Sequence, residues 1–364
     1  MKKAFHCFTL LAFLTACEPD IHDKRVAPEL NLELSSPNLE GMDPELLEQA
    51  RAYAFETAQN TQSVLILRKG RLVAEWYRDG YDKDSLVTSW SIGKSMASAL
   101  IGIAIDRGEI ESVDMELKEF FPEWNNGSLE NTTLRDLLEM RSGLAWNENE
   151  QAGSLVSETV NQLEAVKNRM REHPVGEVFN YSSADSMLLS QVIERSTGQS
   201  FASYANTHLW EPIGAQMDWW RDAQDNYLTY CCVDGTARDF AKFGQLFSNK
   251  GVFGGKRVVP EEWVMESTSP APGLDSYGLH WWTNKGGSIA EGAPETMFAA
   301  IGYHKQFIYI LPEQELVVVR NGIYHRTSEE AVADPAVGIQ TWGDPQWDSS
   351  SLILPILNSI PSGS

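Results

Sequence analysis

Positive charge, cysteine and long apolar runs are all scarce in this 364-residue chain. Lys and Arg number 29 against 51 Asp and Glu, a formal net charge of −22. Phosphate binding needs a basic footprint, so nucleic acid is excluded as a partner. There are four cysteines, Cys7, Cys17, Cys231 and Cys232. They lack zinc spacing, and two adjacent cysteines do not make a disulfide framework. Cys231 and Cys232 therefore read as free buried thiols. The seven histidines form no H-E-x-x-H or similar cluster, so neither a metal nor a cofactor is expected. A Gly-rich phosphate loop is missing, since Gly251 to Gly255 reads as a turn between helices. The absence of a Gly-x-Ser-x-Gly elbow disfavours an α/β-hydrolase. No internal repeat is visible.

The run Ala4 to Leu14 behind Lys2 and Lys3 is too short to span a bilayer. It reads as a signal peptide over residues 1–16. Its end, Leu14-Thr15-Ala16-Cys17, resembles a bacterial lipoprotein cleavage box. That resemblance implies a lipid on Cys17 and an anchor in the cell envelope, facing the periplasm. Glu18 after the cysteine leans, by the same resemblance, to the outer membrane. A polar stretch with Pro19, Pro28 and Pro37 makes residues 17–41 a tether. Residues 42–364 are left as the folded body.

Within that body, a helix is expected near Pro44 to Thr57. Ser63–Arg68 and Arg71–Tyr77 flank Lys69-Gly70, a hairpin signal. From about 107 to 272 the pattern is mostly helical, with helices expected at Thr132–Met140, Ser183–Thr197, Thr236–Ser248 and from Pro260. Strands return at Tyr277–Trp282, Thr296–Ile301, Gln306–Leu311 and Leu316–Arg320, and a last helix is expected over Asp348–Ile360. The expected fold is α+β: an antiparallel sheet flanked by helices, carrying an inserted, mostly helical domain. The stretch from His325 to Trp347 has no clear assignment.

The chemistry centres on Ser91-Ile92-Gly93-Lys94. Residues three apart on a helix face the same way, so Lys94 can set its amine beside the Ser91 hydroxyl. A serine hydroxyl needs such a base to become a nucleophile, and burial can lower a lysine pKa to that end. The Ser91 N–H, at a helix start, can also donate to an oxyanion. An ordinary N-cap serine followed by a solvated lysine is the plainer alternative. Against it, the following stretch Ser95–Ile105 is uncharged, and a lysine opening a buried helix needs a reason.

The order of motifs resembles the serine β-lactamase and penicillin-binding superfamily, in its class C-like branch of esterases and 6-aminohexanoate-dimer hydrolases. The resemblance runs from about Ser63 to Gly322. Besides Ser91–Lys94, it is carried by Leu134–Leu144, Pro174–Ser183, Thr236–Gly244 and Tyr277–Trp282. It implies that Tyr181-Ser182-Ser183 is the second motif. Tyr181, its proton loosened by a nearby ammonium, would share proton transfer, and Ser183 would bond Lys94 or the substrate. Ser183 is also a candidate N-cap.

The third motif falls on Gly302-Tyr303-His304-Lys305-Gln306. Many relatives have glycine where this chain has Lys305. There the resemblance makes the Gln306 N–H a second oxyanion donor, lets His304 contact substrate, and sets Trp282 beside the pocket. A structural histidine and a core tryptophan are the plainer readings. The implied function is a cell-envelope serine hydrolase acting through an acyl-enzyme on small esters or amides. A β-lactamase or D-alanyl-peptide hydrolase is the alternative within the fold. A non-catalytic lipoprotein that binds peptidoglycan or another partner is the alternative outside catalysis.

Overall fold

The computed structural model describes residues 32–323 and 347–361. The expected signal peptide, Cys17 and the stretch 324–346 lie outside the described residues. The tether expected over 17–41 is described only from Leu32. There the strand β1 (Glu33–Leu34) pairs in parallel with Arg71 and Leu72, so this part lies on the sheet edge.

Two apolar runs fold on Lys69-Gly70, both at positive φ (50° and 78°), as a two-residue hairpin requires. The runs become β2 (Thr61–Arg68) and β3 (Arg71–Tyr77). A small second sheet holds β4 (Leu86–Thr88), β5 (Asp218–Trp219) and β6 (Val233–Thr236) in the order β4-β6-β5. The expected turn at Gly251–Gly255 belongs to a short hairpin of β7 (Val252–Phe253) and β8 (Lys256–Arg257). The strands β9 (Trp282–Thr283), β10 (Phe298–Gly302), β11 (Gln306–Leu311) and β12 (Leu316–Gly322) complete the main sheet. Its order is β1-β3-β2-β12-β11-β10-β9, antiparallel except for β1.

Both faces of this sheet are covered, and the alternation of side chains along each strand shows how. Val64, Ile66, Tyr309, Leu316 and Val318 face one cluster, shared with α1 (Pro44–Ala54) and the Ser349–Asn358 helix. Leu65, Leu67, Ile308, Ile310, Val317 and Val319 face the other. Against that second face lie the Ala237–Ser248 helix and α2 (Ile92–Asp106). Gly244 permits the close packing, since a Cβ there would meet Val317 at 2.6 Å. Each such aliphatic side chain, fully buried, contributes about 1.5–3 kcal/mol.

Between the two ends of the main sheet run α3 (Leu117–Phe120), α4 (Leu134–Leu138), α5 (Glu148–Glu158), α6 (Gln162–Val166), α7 (Ser183–Met187) and α8 (Leu189–Thr197). Thr133 and Thr236 cap their helices with reciprocal bonds to Asp136 and Asp239. Two expectations are corrected here. The single helix expected from Ser183 to Thr197 breaks at Leu188, and its cap is the Ser182 hydroxyl, not Ser183. The strand expected over Tyr277–Trp282 is a tight turn: Gly278 N–H donates to the Trp281 carbonyl, and His280 has φ 65°.

Candidate active site

The site is built on the corner that joins β4 to α2. Ser89 pins this corner by a backbone bond to Val233 O (2.8 Å) and by accepting Val233 N–H on its hydroxyl (2.8 Å). Trp90 then takes φ 45°, unusual for a bulky residue. Strand β10 closes on the same corner at Gly302, where a Cβ would lie 2.3 Å from the Ser89 carbonyl. Ser91 follows with helical dihedrals, and its hydroxyl caps nothing. The hydroxyl instead lies 3.1 Å from Lys94 Nζ.

Lys94 is buried, only 1% exposed. Its Nζ donates to Ser91 Oγ (3.1 Å), Ser183 Oγ (3.1 Å) and the Tyr230 carbonyl (2.8 Å). Burial lowers the amine pKa to about 8, while Glu148 pulls it upward. At pH 7 about a tenth of the amine is then neutral, against less than about a thousandth for an exposed lysine. The Tyr230 carbonyl reaches it because Gly93 lets α2 approach the following segment. A Cβ on Gly93 would sit 2.9 Å from Cys231 O.

Tyr181 comes to the same place from the irregular segment before α7. Its ring lies 4.8 Å from Lys94 Nζ, stacks on Trp282 at 5.6 Å and meets the edge of Tyr277 at 6.1 Å. The expectation that Tyr181 loses its proton easily is reversed. Burial first, and then Glu148, push its pKa up, while the hydrogen-bonding Ser91 hydroxyl pulls the other way. The phenol therefore stands protonated. His280 packs behind the site between Leu138 O (2.9 Å) and Ser186 Oγ (3.0 Å), and burial holds its pKa down to about 3. It is a neutral wedge.

The structure thus brings together Ser91, Lys94, Tyr181 and Ser183, with Trp282 packed on Tyr181. The third motif behaves differently. Tyr303–Lys305 is a turn between β10 and β11, with His304 at φ 55° and Lys305 at φ 60°. The backbone at Lys305 is one that glycine adopts freely. His304 packs on Trp90 at 5.6 Å and on Tyr303 at 4.5 Å. Gln306 is corrected: its N–H donates to Tyr303 O, so it is not aimed at an oxyanion. Its buried side chain binds Gly322 N and O across to β12. The free thiols are corrected too. Cys231 and Cys232 are disulfide-bonded to each other, on a segment where Cys232 has φ 68°.

Glu148, at the start of α5, is a participant that the spacing did not announce. It lies in a run of acids and amides, Asn147 to Gln151, with nothing to separate it from its neighbours. Yet its Oε1 accepts the Ser183 hydroxyl (2.6 Å), and its Oε2 accepts Ser183 N–H (2.8 Å) and the Trp146 indole (2.6 Å). Glu148 and Tyr181 also line a cleft of about 690 Å³, with Trp146, Asn147, His173 and Phe179 on its walls. The cleft gives a small ligand a place against Tyr181 and Glu148.

The chain resembles known proteins over most of its length. It is 25% identical over 292 residues to the 6-aminohexanoate-dimer hydrolase of Paenarthrobacter ureafaciens, spanning 71% of this chain and 72% of that protein. Among solved structures, a family VIII carboxylesterase superposes with a TM-score of 0.63 at 16% identity, covering 85% of this chain and 98% of that one. A D-stereospecific amidohydrolase from Streptomyces gives 0.60 at 16%, covering 80% and 97%. Those likenesses are to the fold. The Beta-lactamase family itself matches residues 49–321, from within α1 to β12 and across the whole site described above. By that match, the chain belongs to the Beta-lactamase family.

Proposed function

We propose that this protein is a serine hydrolase that acts through an acyl-enzyme on small esters or amides. The observation that carries the reading is the buried amine of Lys94, 3.1 Å from a serine hydroxyl that caps no helix. Ser91 Oγ attacks the carbonyl carbon, and its proton passes to neutral Lys94. The tetrahedral adduct collapses as the leaving alcohol or amine takes a proton, delivered from Lys94 or the Tyr181 phenol. Water then attacks the acyl-serine, gives up a proton by the same route, and releases the acid. Such proton transfers typically contribute about 10²- to 10⁴-fold.

The relatives fit this reading, one named a dimer hydrolase, another a carboxylesterase and a third an amidohydrolase. The test is hydrolysis of a short p-nitrophenyl ester together with fluorophosphonate labelling. Ser91→Ala is expected to abolish both, and full activity in that variant would refute the assignment. A panel of esters, amides, nitrocefin and D-alanyl peptides separates the substrate classes. The stretch Leu14-Thr15-Ala16-Cys17 supports an envelope lipoprotein. Labelled palmitate should enter the wild-type chain in cells and not Cys17→Ser; equal labelling would remove that part of the reading.

A further inference from the structure

We propose that Glu148 is a positioning residue that aims the Lys94 lone pair at Ser91, acting through the Ser183 hydroxyl. The inference rests on the hydrolase reading above and adds to it the device that sets the direction of proton transfer.

The argument is a count of protons. A carboxylate only accepts hydrogen bonds. Ser183 carries one hydroxyl proton, and Glu148 Oε1 at 2.6 Å takes it. The Ser183 oxygen can then offer only lone pairs to Lys94 Nζ at 3.1 Å. The Tyr230 carbonyl, at 2.8 Å, is likewise an acceptor alone. A neutral amine has two protons and one lone pair. Its protons go to Ser183 and Tyr230, and the lone pair is left facing Ser91 Oγ at 3.1 Å. Any other rotation about the terminal bond sets a lone pair against a lone pair inside a buried site, where an unmade bond is expensive. The ammonium that forms after attack finds three acceptors in the same three places. The site accommodates both states of the amine without rearrangement.

The carboxylate is itself fixed. Its second oxygen holds the Ser183 N–H and the Trp146 indole, so it cannot turn away from the hydroxyl. The other ionisable groups about Lys94 are Tyr181 and Tyr230, with ring centroids at 4.8 and 5.7 Å, and neutral His280 behind. The two phenols are held protonated by burial. Glu148 is the group that pulls the Lys94 pKa upward, against burial.

Glu148→Gln tests this in the full chain. The amide oxygen suits the two N–H donors, Ser183 N and Trp146 Nε1, which leaves the amide NH₂ facing Ser183 Oγ. The Ser183 hydroxyl is then free to donate to Lys94 and occupy its lone pair. With a neutral p-nitrophenyl ester, the plateau of kcat is expected to fall about 10- to 100-fold, within the range for general base catalysis. The acid limb of the pH profile should move to lower pH by up to about one unit, because a nearby negative charge is gone. Ser183→Ala, which leaves the Glu148 bonds to Ser183 N and Trp146 in place, should lower the plateau about tenfold. Adding Glu148→Gln to it should cost little more. A merely structural carboxylate would lower the melting temperature, and its rate loss would multiply with that of Ser183→Ala instead of merging with it. An anchor for a substrate cation would raise KM for cationic substrates and spare kcat. Either result overturns the proposal, as does an unchanged plateau in Ser183→Ala. Wild-type protein that neither hydrolyses esters nor takes a fluorophosphonate removes the hydrolase reading first, and the relay with it.

Discussion

Lys94 and Arg320 are both buried cations, 1% and 0% exposed, and they do opposite work. Arg320 reaches across the third-motif turn. Its Nη1 donates to His304 O (2.9 Å) and Lys305 O (2.7 Å), and its Nε and Nη2 bind Thr61 Oγ1 at 3.1 and 2.9 Å. Nη2 also donates to Gln59 O, and the guanidinium lies 4.4 Å from the Trp347 ring. A guanidinium never gives up its charge in a protein, and its fixed fork suits several carbonyls at once. An amine is a small charge that burial readily neutralises. Lys94 has been given two hydroxyls and one carbonyl. Arg320 is a clamp, and Lys94 is a group that can titrate.

Removing each cation separates the two roles. Lys94→Met is expected to lower ester hydrolysis at least about 10³-fold, as loss of a general base does. Its stability should respond to pH in a way that Arg320 variants do not. The Lys94 pKa falls from 10.5 in the unfolded chain to about 8 in the fold. Between those values the unfolded chain binds the extra proton, so wild-type stability rises with pH there. The penalty is complete below about pH 8 and gone above about 10.5. Lys94→Met lacks it, so its stability relative to wild type should decline by about 3 kcal/mol from pH 7 to pH 10.5. Urea titrations across that range measure the slope; a flat difference would mean that Lys94 stays charged throughout.

Arg320→Met should reverse the emphasis. It strands the carbonyls of Gln59, His304 and Lys305, at about 1–3 kcal/mol for each that water cannot reach. Several kcal/mol of stability should be lost in urea, and the surviving folded fraction should keep its pH profile. A shifted acid limb would mean that the clamp also tunes the amine. The smallest expected effect is at the turn the clamp holds. Lys305→Gly relieves a left-handed residue worth about 1–2 kcal/mol and returns part of that as unfolded-chain entropy. The melting temperature should rise by a few degrees or less, and a fall would show that the Lys305 side chain contributes a contact of its own.

The two regions also differ in how far residue types alone disclose them. Ser91 and Lys94 meet by helical spacing, which is local, and the uncharged stretch behind them signals burial directly. The hairpin at Lys69-Gly70 is equally local. Tyr181 and Ser183 were reached through resemblance, because nothing in a Tyr-Ser-Ser triplet says what it will face. The Gln306 N–H was misread because the turn before it is folded by two positive φ angles at His304 and Lys305, which their side chains do not advertise. The same holds for His280, which turns an apparent strand into a bend, and for Cys232, whose backbone accompanies an unexpected bond between adjacent cysteines. Glu148 stands 35 positions before Ser183, one acid among many. Only three-dimensional contact singles it out.

The contact at Gly302 has a consequence for traffic. With β10 pressed on the Ser89 carbonyl and His304 leaning on Trp90, the corner that carries Ser91 is walled on one flank. The cleft between Trp146 and Phe179 runs up to Tyr181, whose ring lies 4.8 Å from Lys94 Nζ. A reactant seated in that cleft would lie against the Tyr181 phenol and Glu148, both in its lining. Selection by size would then take place at the doorway, ahead of any bond making.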